Sequence, residues 1–128
     1  MSPSHERVEY RSSEWHESRR VPGVRFEVAR ISLARRAEIT RRMRALLSEL
    51  EYRRSSEDVN DKLAASELEA AIDRVYVEYG LLAVEGLEID GEPADAGNIV
   101  KRGPEALGRE IAEAVRRQCR LTEDERKN

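Results

Sequence analysis

The chain has very little of the residues on which most recognisable chemistry is built. A single cysteine, Cys119, excludes an internal disulfide, and with only His5 and His16 beside it no spacing resembles a zinc site. Glycine-rich phosphate loops, the GxSxG elbow and the HExxH helix are all missing. No apolar run approaches the ~18 residues of a membrane-spanning helix. The first residues, MSPSHERVEYRSSEWHESRR, hold no continuous apolar segment of the kind that forms a signal-peptide core. These absences lead to the expectation of a cytoplasmic, non-enzymatic protein with no cofactor and no metal.

What the chain does have is charge. Its 128 residues allow one modest core, or one core with a loose tail, and they carry 23 Lys plus Arg against 26 Asp plus Glu. The net charge of -3 conceals segregation: residues 1–54 balance at +5, residues 55–98 at -10 and residues 99–128 at +2. Opposite charge on successive segments implies that they pack side by side or meet oppositely charged partners. Of the 23 bases 20 are arginine, and one of the three lysines stands in Lys127-Asn128.

Residues 1–22 mix Ser, Glu, Arg and single aromatics (Tyr10, Trp15) without a period, and read as a flexible N-terminal arm. Residues 23–128 read as one small domain, mainly α within an α+β class, with two to three amphipathic helices and a short strand or hairpin element. Val24, Phe26 and Val28 alternate with Arg25 and Glu27, the period of a half-buried strand. Ser32 is the expected N-cap of a helix running to about Arg54. On that helix Ile39, Met43, Leu46 and Leu50 form one apolar face, widened by Leu33, Ala37 and Leu47. After Ser55-Ser56 a second helix is expected from about Val59 to Tyr79, with Leu63, Leu68, Ile72, Val75, Tyr76 and Tyr79 on a common face and Gly80 as its C-terminal stop. The two helices are expected to pair antiparallel, the Arg-rich one flanking the acidic one.

Beyond Gly80, LLAVEGLEIDGEPA predicts a short hairpin or extended arm about Asp90-Gly91, able to pair with the strand at 24–31. A brief helix is expected at about Asp95 to Arg102, and a long one from Gly103-Pro104 carrying Leu107, Ile111, Ala114, Val115 and Gln118/Cys119. Thr122 to Glu125 has the spacing of a capping box that would open a frayed last turn.

The arginines of the first helix (Arg35, Arg36, Arg41, Arg42, Arg44, Arg53, Arg54) have the charge that phosphate neutralisation needs. They point around much of the helix, however, and a -10 segment lies beside them, so a solvated, acid-paired face is the favoured reading. The acidic middle segment has no calcium-loop pattern, and pairs such as Glu67 and Glu69, or Asp58 and Asp61, have no neighbouring histidine or apolar pocket to set them apart as acid and base. Cys119 reads as a small buried hydrophobe. Leu46, Leu47 and Leu50 with Tyr76 and Tyr79 are the expected partner-binding residues, because tyrosines near the ends of apolar helix faces suit interface hot spots.

The run YVEYGLLAVEGLEIDGEPADAGNIVKRGPEALGREIAEAVRRQCRLTEDERKN, preceded by GVRFEVARISLARRAEITRRMRALLSELE, resembles the tail assembly chaperones encoded in tail modules of long-tailed bacteriophages and prophages. The resemblance covers residues 23–128 and rests on general pattern, above all GLEIDG, the GPEAL helix start and the terminal ERKN. It implies a protein of the host bacterial cytoplasm that holds the long helical tape measure protein while the tail tube polymerises, and that is absent from the finished tail. It also implies a longer, frameshifted form as a second partner. Codons for Arg126-Lys127-Asn128 can contain A AAA AAC, on which ribosomes slip; an AAG at Lys127 would remove that site. A holdase needs apolar grooves or helix faces and enough charge to stay soluble, and self-association through the same faces is compatible with this. Two alternatives stay open: a structural virion connector or tail-completion subunit, and an Arg-rich nucleic-acid-binding regulator.

Overall fold

The computed structural model describes residues 6–127; His5 and Asn128 lie outside them. The elements in chain order are β1 (Ser13–Glu17), β2 (Arg25–Ala29), α1 (Leu33–Arg54), α2 (Val59–Gly80), β3 (Leu81–Glu85), β4 (Glu88–Ile89), β5 (Glu92–Pro93), α3 (Ala96–Arg102) and α4 (Glu105–Lys127). The expected α+β class holds. Strands β1, β2 and β3 form an antiparallel sheet in that order, and β4 and β5 form a separate two-stranded ribbon.

Local chemistry explains most boundaries. Ser32 Oγ accepts the Arg35 amide at 3.2 Å and opens α1, and Asp58 accepts the Asn60 amide at 2.7 Å and opens α2. Asp95 and Asn98 form a reciprocal capping box at the start of α3, each side chain taking the other's backbone amide at 2.8 Å. Asp90 and Gly91 both have positive φ, 52° and 81°, the backbone of a tight mirror-image turn. That is the Asp-Gly turn the sequence predicts, now placed between β4 and β5. The partner that joins the strand at 24–31 is LLAVE, as β3. A register shift between Glu27 and Val28 turns Leu82 outward.

Two apolar clusters result. In the first, Val24, Phe26 and Val28 of the sheet cover Leu107, Ile111 and Val115 of α4, closed by Val77, Leu81, Ile89 and Ile99. Phe26, Val28, Leu107, Ile111 and Val115 are the largest fully buried side chains, each contributing on the order of 1.5–3 kcal/mol by leaving water. In the second, Ile39, Met43 and Leu50 of α1 meet Ala65 and Ile72 of α2, with Ile31 beside them. Tyr76 packs against both clusters.

Five expectations are corrected. The second half of the supposed arm is a strand: Ser13–Glu17 pairs with β2 in full register, Ser13 opposite Ala29 and Glu17 opposite Arg25. Its inward residues are polar, which hid it. Glu14 accepts Gln118 Nε2 at 2.6 Å, and the His16 ring stacks on Phe26 at 5.4 Å. Nε2 of His16 comes within 2.9 Å of Glu14 without the alignment of a hydrogen bond. The apolar stripes are also narrower than expected. Leu33 is 93% and Leu63 60% exposed, and Ala37 is exposed too, because α1 packs chiefly along α2 and these positions lie outside that contact. The α2 face also extends differently, since Val77 turns into the first cluster. Helix α4 runs unbroken through Lys127, so no separate turn begins at Thr122.

The last correction concerns Gly80. It ends α2 as expected, but without a left-handed cap: a Cβ there would lie 2.4 Å from both methyls of Val115. Glycine is required because α2 and α4 touch at that point. Gly80→Ala is therefore expected to destabilise the fold by about 1–3 kcal/mol despite alanine's better helix propensity. The double variant with Val115→Ala should lose less than the sum of the two single losses. Denaturant melts of the four proteins check this coupling.

Candidate partner-binding groove

Helix α1 leans on α2 and leaves a trough between itself and the C-terminal part of α4. Two adjoining openings of about 280 and 390 Å³ share Leu47, Tyr76 and Arg116 as lining residues. The first runs past Ile39, Met43 and Cys119, and the second continues over Leu50 and Ile72. On α1 the lining extends from Arg36 to Arg54, which at 1.5 Å per residue is about 27 Å. The floor is apolar; the rim carries Arg36, Arg44, Arg54, Arg116 and Arg120, with Glu69 and Asp73 at the far end.

Of the five expected partner-binding residues, three line this groove. Leu47 is 49% exposed, Tyr76 is half-buried, and Leu50 is buried beneath the second opening. Leu46 and Tyr79 also pack against the second cluster but do not line the groove. At 100° per residue Leu46 falls on the other flank of α1, beside Arg42, whose guanidinium lies 5.4 Å over the Tyr79 ring. Arg116 and Arg120, which the sequence reading passed over, complete the site together with Arg44, read there as part of an acid-paired face, and Cys119, read as a small buried hydrophobe and half-buried in the structure. Positions 36, 40, 43, 47 and 54 share one flank of a helical wheel, a signal present in the sequence. The open space facing them was not.

Most arginines of α1 are engaged within the molecule. Arg35 donates to the Tyr79 carbonyl at 3.0 Å, and Arg36 donates across the trough to the Cys119 carbonyl at 2.8 Å. Arg41 pairs with Glu38 at 2.9 Å, Arg53 with both Glu49 and Asp61, and Arg54 with Glu69 at 2.6 Å. Among the described residues, Arg44 has no ion-pair or hydrogen-bond partner. On α4, Glu113 serves two guanidiniums, Arg116 at 3.1 Å and Arg120 at 2.7 Å, and Arg116 also reaches Asp73 at 3.2 Å. Arg116 lies 5.2 Å over the Tyr76 ring. Among the described residues, positive charge is thus in surplus along the first opening, whose lining holds four arginines and no acid.

Asp73 and Arg116 respond differently to their pairing. Burial pushes the Asp73 carboxyl above its ordinary 3.8, with Arg116 and Arg109 pulling the other way. Burial likewise opposes charge on Arg116, but Tyr76, Asp73 and Glu113 together outweigh it and raise its pKa. The pair favours the guanidinium and leaves the carboxylate short of solvation, so it is near break-even for stability. A larger hollow of about 930 Å³ between β1 and α4 has no such asymmetry, because Arg19, Arg20, Arg109 and Arg117 face Glu17, Glu105, Glu110 and Glu113.

Asp61, in the first turn of α2, shifts the opposite way. Hydrogen bonding to Ser56 and then to Arg53 holds its carboxyl below 3.8. The folded chain releases that proton more readily than the unfolded one, so this contribution is present above the unfolded value and is lost as pH falls through the folded one. Asp61→Asn is expected to lower the thermal midpoint at neutral pH, with the deficit closing in strong acid. Asp73→Asn is expected to leave the midpoint unchanged or raised at neutral pH, since the folded state there disfavours the charge. Circular-dichroism melts across the acid range check both signs. Compared with known proteins, the chain matches no protein-family model, no curated protein and no solved structure.

Proposed function

We propose that this chain is a non-enzymatic tail assembly chaperone of a phage or prophage, which acts in the host bacterial cytoplasm. It binds an apolar helical stretch of the tape measure protein and keeps it soluble while the tail tube forms. The observation that carries the reading is the groove itself: an open trough of about 27 Å with an aliphatic floor. A trough of that length accommodates four to five turns of helix, about 18 residues, and helix-in-groove capture is an established recognition mode.

The motifs behind the family resemblance support the reading from a separate direction. GLEIDG spans β4 and its turn, and GPEAL opens α4, whose C-terminal part forms one wall of the groove. The groove's charged side chains other than Arg44 are occupied in ion pairs or hydrogen bonds, an arrangement suited to holding a partner. No helix among the described residues is long and apolar enough to cross a membrane.

Co-expression with the neighbouring tape measure gene tests the proposal. The tape measure protein is expected in the soluble fraction with the wild-type chain and in the pellet with Leu47→Glu, a substitution at a half-exposed site that spares the core. A client equally soluble with and without the chain would sink the reading. Mass spectrometry of purified particles gives the second check: the chaperone is expected to be absent, and copies retained in stoichiometric amount would favour a virion connector.

A further inference from the structure

The groove is not electrostatically uniform along its length. Among the described residues, its Arg36 end, between the N-terminal half of α1 and the C-terminal part of α4, is lined by Arg36, Arg44, Arg116 and Arg120 with no acid. Its Arg54 end places Glu69 and Asp73 beside Arg54. An occupant must therefore match a cationic end, a mixed end and an apolar floor throughout.

We propose that the groove takes an amphipathic helix whose apolar stripe lies on Met43, Leu47 and Tyr76, and whose acidic residues are concentrated at the end that meets Arg44 and Arg120. This deepens the chaperone reading by stating what a bound segment must look like, and it rests on that reading only in taking a helix as the occupant. The walls are themselves helices, and the groove has no strand edge to which an extended peptide could add. A nucleic-acid backbone fits poorly, because phosphates spaced evenly along the trough would meet Glu69 and Asp73. Arg44 gives the cationic end a free donor set: it is exposed and has no ion-pair or hydrogen-bond partner among the described residues. Among the described residues, Arg120 pairs with Glu113, which it shares with Arg116, so an incoming acid can pair with it without breaking a dedicated bridge. The energetics assign each part a role: floor contacts supply affinity, whereas rim charges set the on-rate, register and choice of partner.

The test uses the whole chain and two fluorescein-labelled synthetic peptides of about 18 residues. Both carry a leucine stripe at helical spacing; one has three glutamates at one end, and the other has lysines in their place. Fluorescence anisotropy at low salt is expected to give the acidic peptide an affinity at least about tenfold higher than the basic one, weakening as salt rises. In the double variant Arg44→Glu, Arg120→Glu that preference is expected to reverse. Both sites are exposed and outside the core, and circular dichroism verifies the fold. Equal affinities for the two peptides, no binding of either, or a preference unchanged in the double variant would overturn the inference. So would self-association that buries the groove and competes with the peptide, which would assign the site to a second copy of the chain. The result is separable from that of co-expression. Reversal of preference with an unaided tape measure protein sinks the chaperone reading alone; a solubilised client without charge preference sinks this inference alone.

Discussion

The contact of Gly80 with Val115 is the constraint on which the rest of the molecule turns. With a bare α-carbon against the Val115 methyls, α2 ends in direct touch with α4, and the next residue, Leu81, already belongs to β3. No linker intervenes, so the position of α2 on α4 fixes where β3 meets β2, and therefore how the sheet lies over Leu107, Ile111 and Val115. Gly86 acts similarly at the other end of β3: its φ of +85° and its approach to the Gly23 carbonyl leave no room for a side chain. With α2 held in this way, α1 leans on α2 and reaches α4 through the long guanidinium of Arg36, and the groove is the space left over.

Charge follows the same arrangement. The acidic middle of the sequence becomes α2, which lies between the Arg-rich α1 and the α4 arginines. Arg54–Glu69 ties it to one side and Arg116–Asp73 to the other. The exposed Arg54–Glu69 pair contributes about 0–1 kcal/mol and the half-buried Arg116–Asp73 pair is near break-even, so burial of aliphatic side chains and Phe26 holds the fold, and the ion pairs align helices already brought together. On the rim of the groove Arg44 is left without an ion pair among the described residues, beside Arg116 and Arg120, which share Glu113. A chain of net charge -3 thus presents a locally cationic trough among its described residues.

The sequence and the tertiary structure divide the molecule between them. Whatever depends on neighbours within a turn or two was legible in the sequence. The Ser32 cap, the limits of α1 and α2, the short α3 and the Asp90-Gly91 turn are set by backbone hydrogen bonding and side-chain period. Charge segregation was legible too, because it needs only counting. Elements whose burial rests on distant partners were not. Strand β1 turns Glu14 and His16 inward and is stabilised by Gln118 and Phe26, so its own alternation carries no apolar signal. The requirement for glycine at position 80 lies in Val115, thirty-five positions along the chain. Leu33, Leu47 and Leu63 have the same hydropathy as their buried neighbours, and only the number of helices packed around them decides which meet water. The groove belongs to that second class: Leu47 and Tyr76 could be named from their spacing, but the empty space between α1 and α4, and the arginines that gather round it, exist only once α2 is fixed against α4.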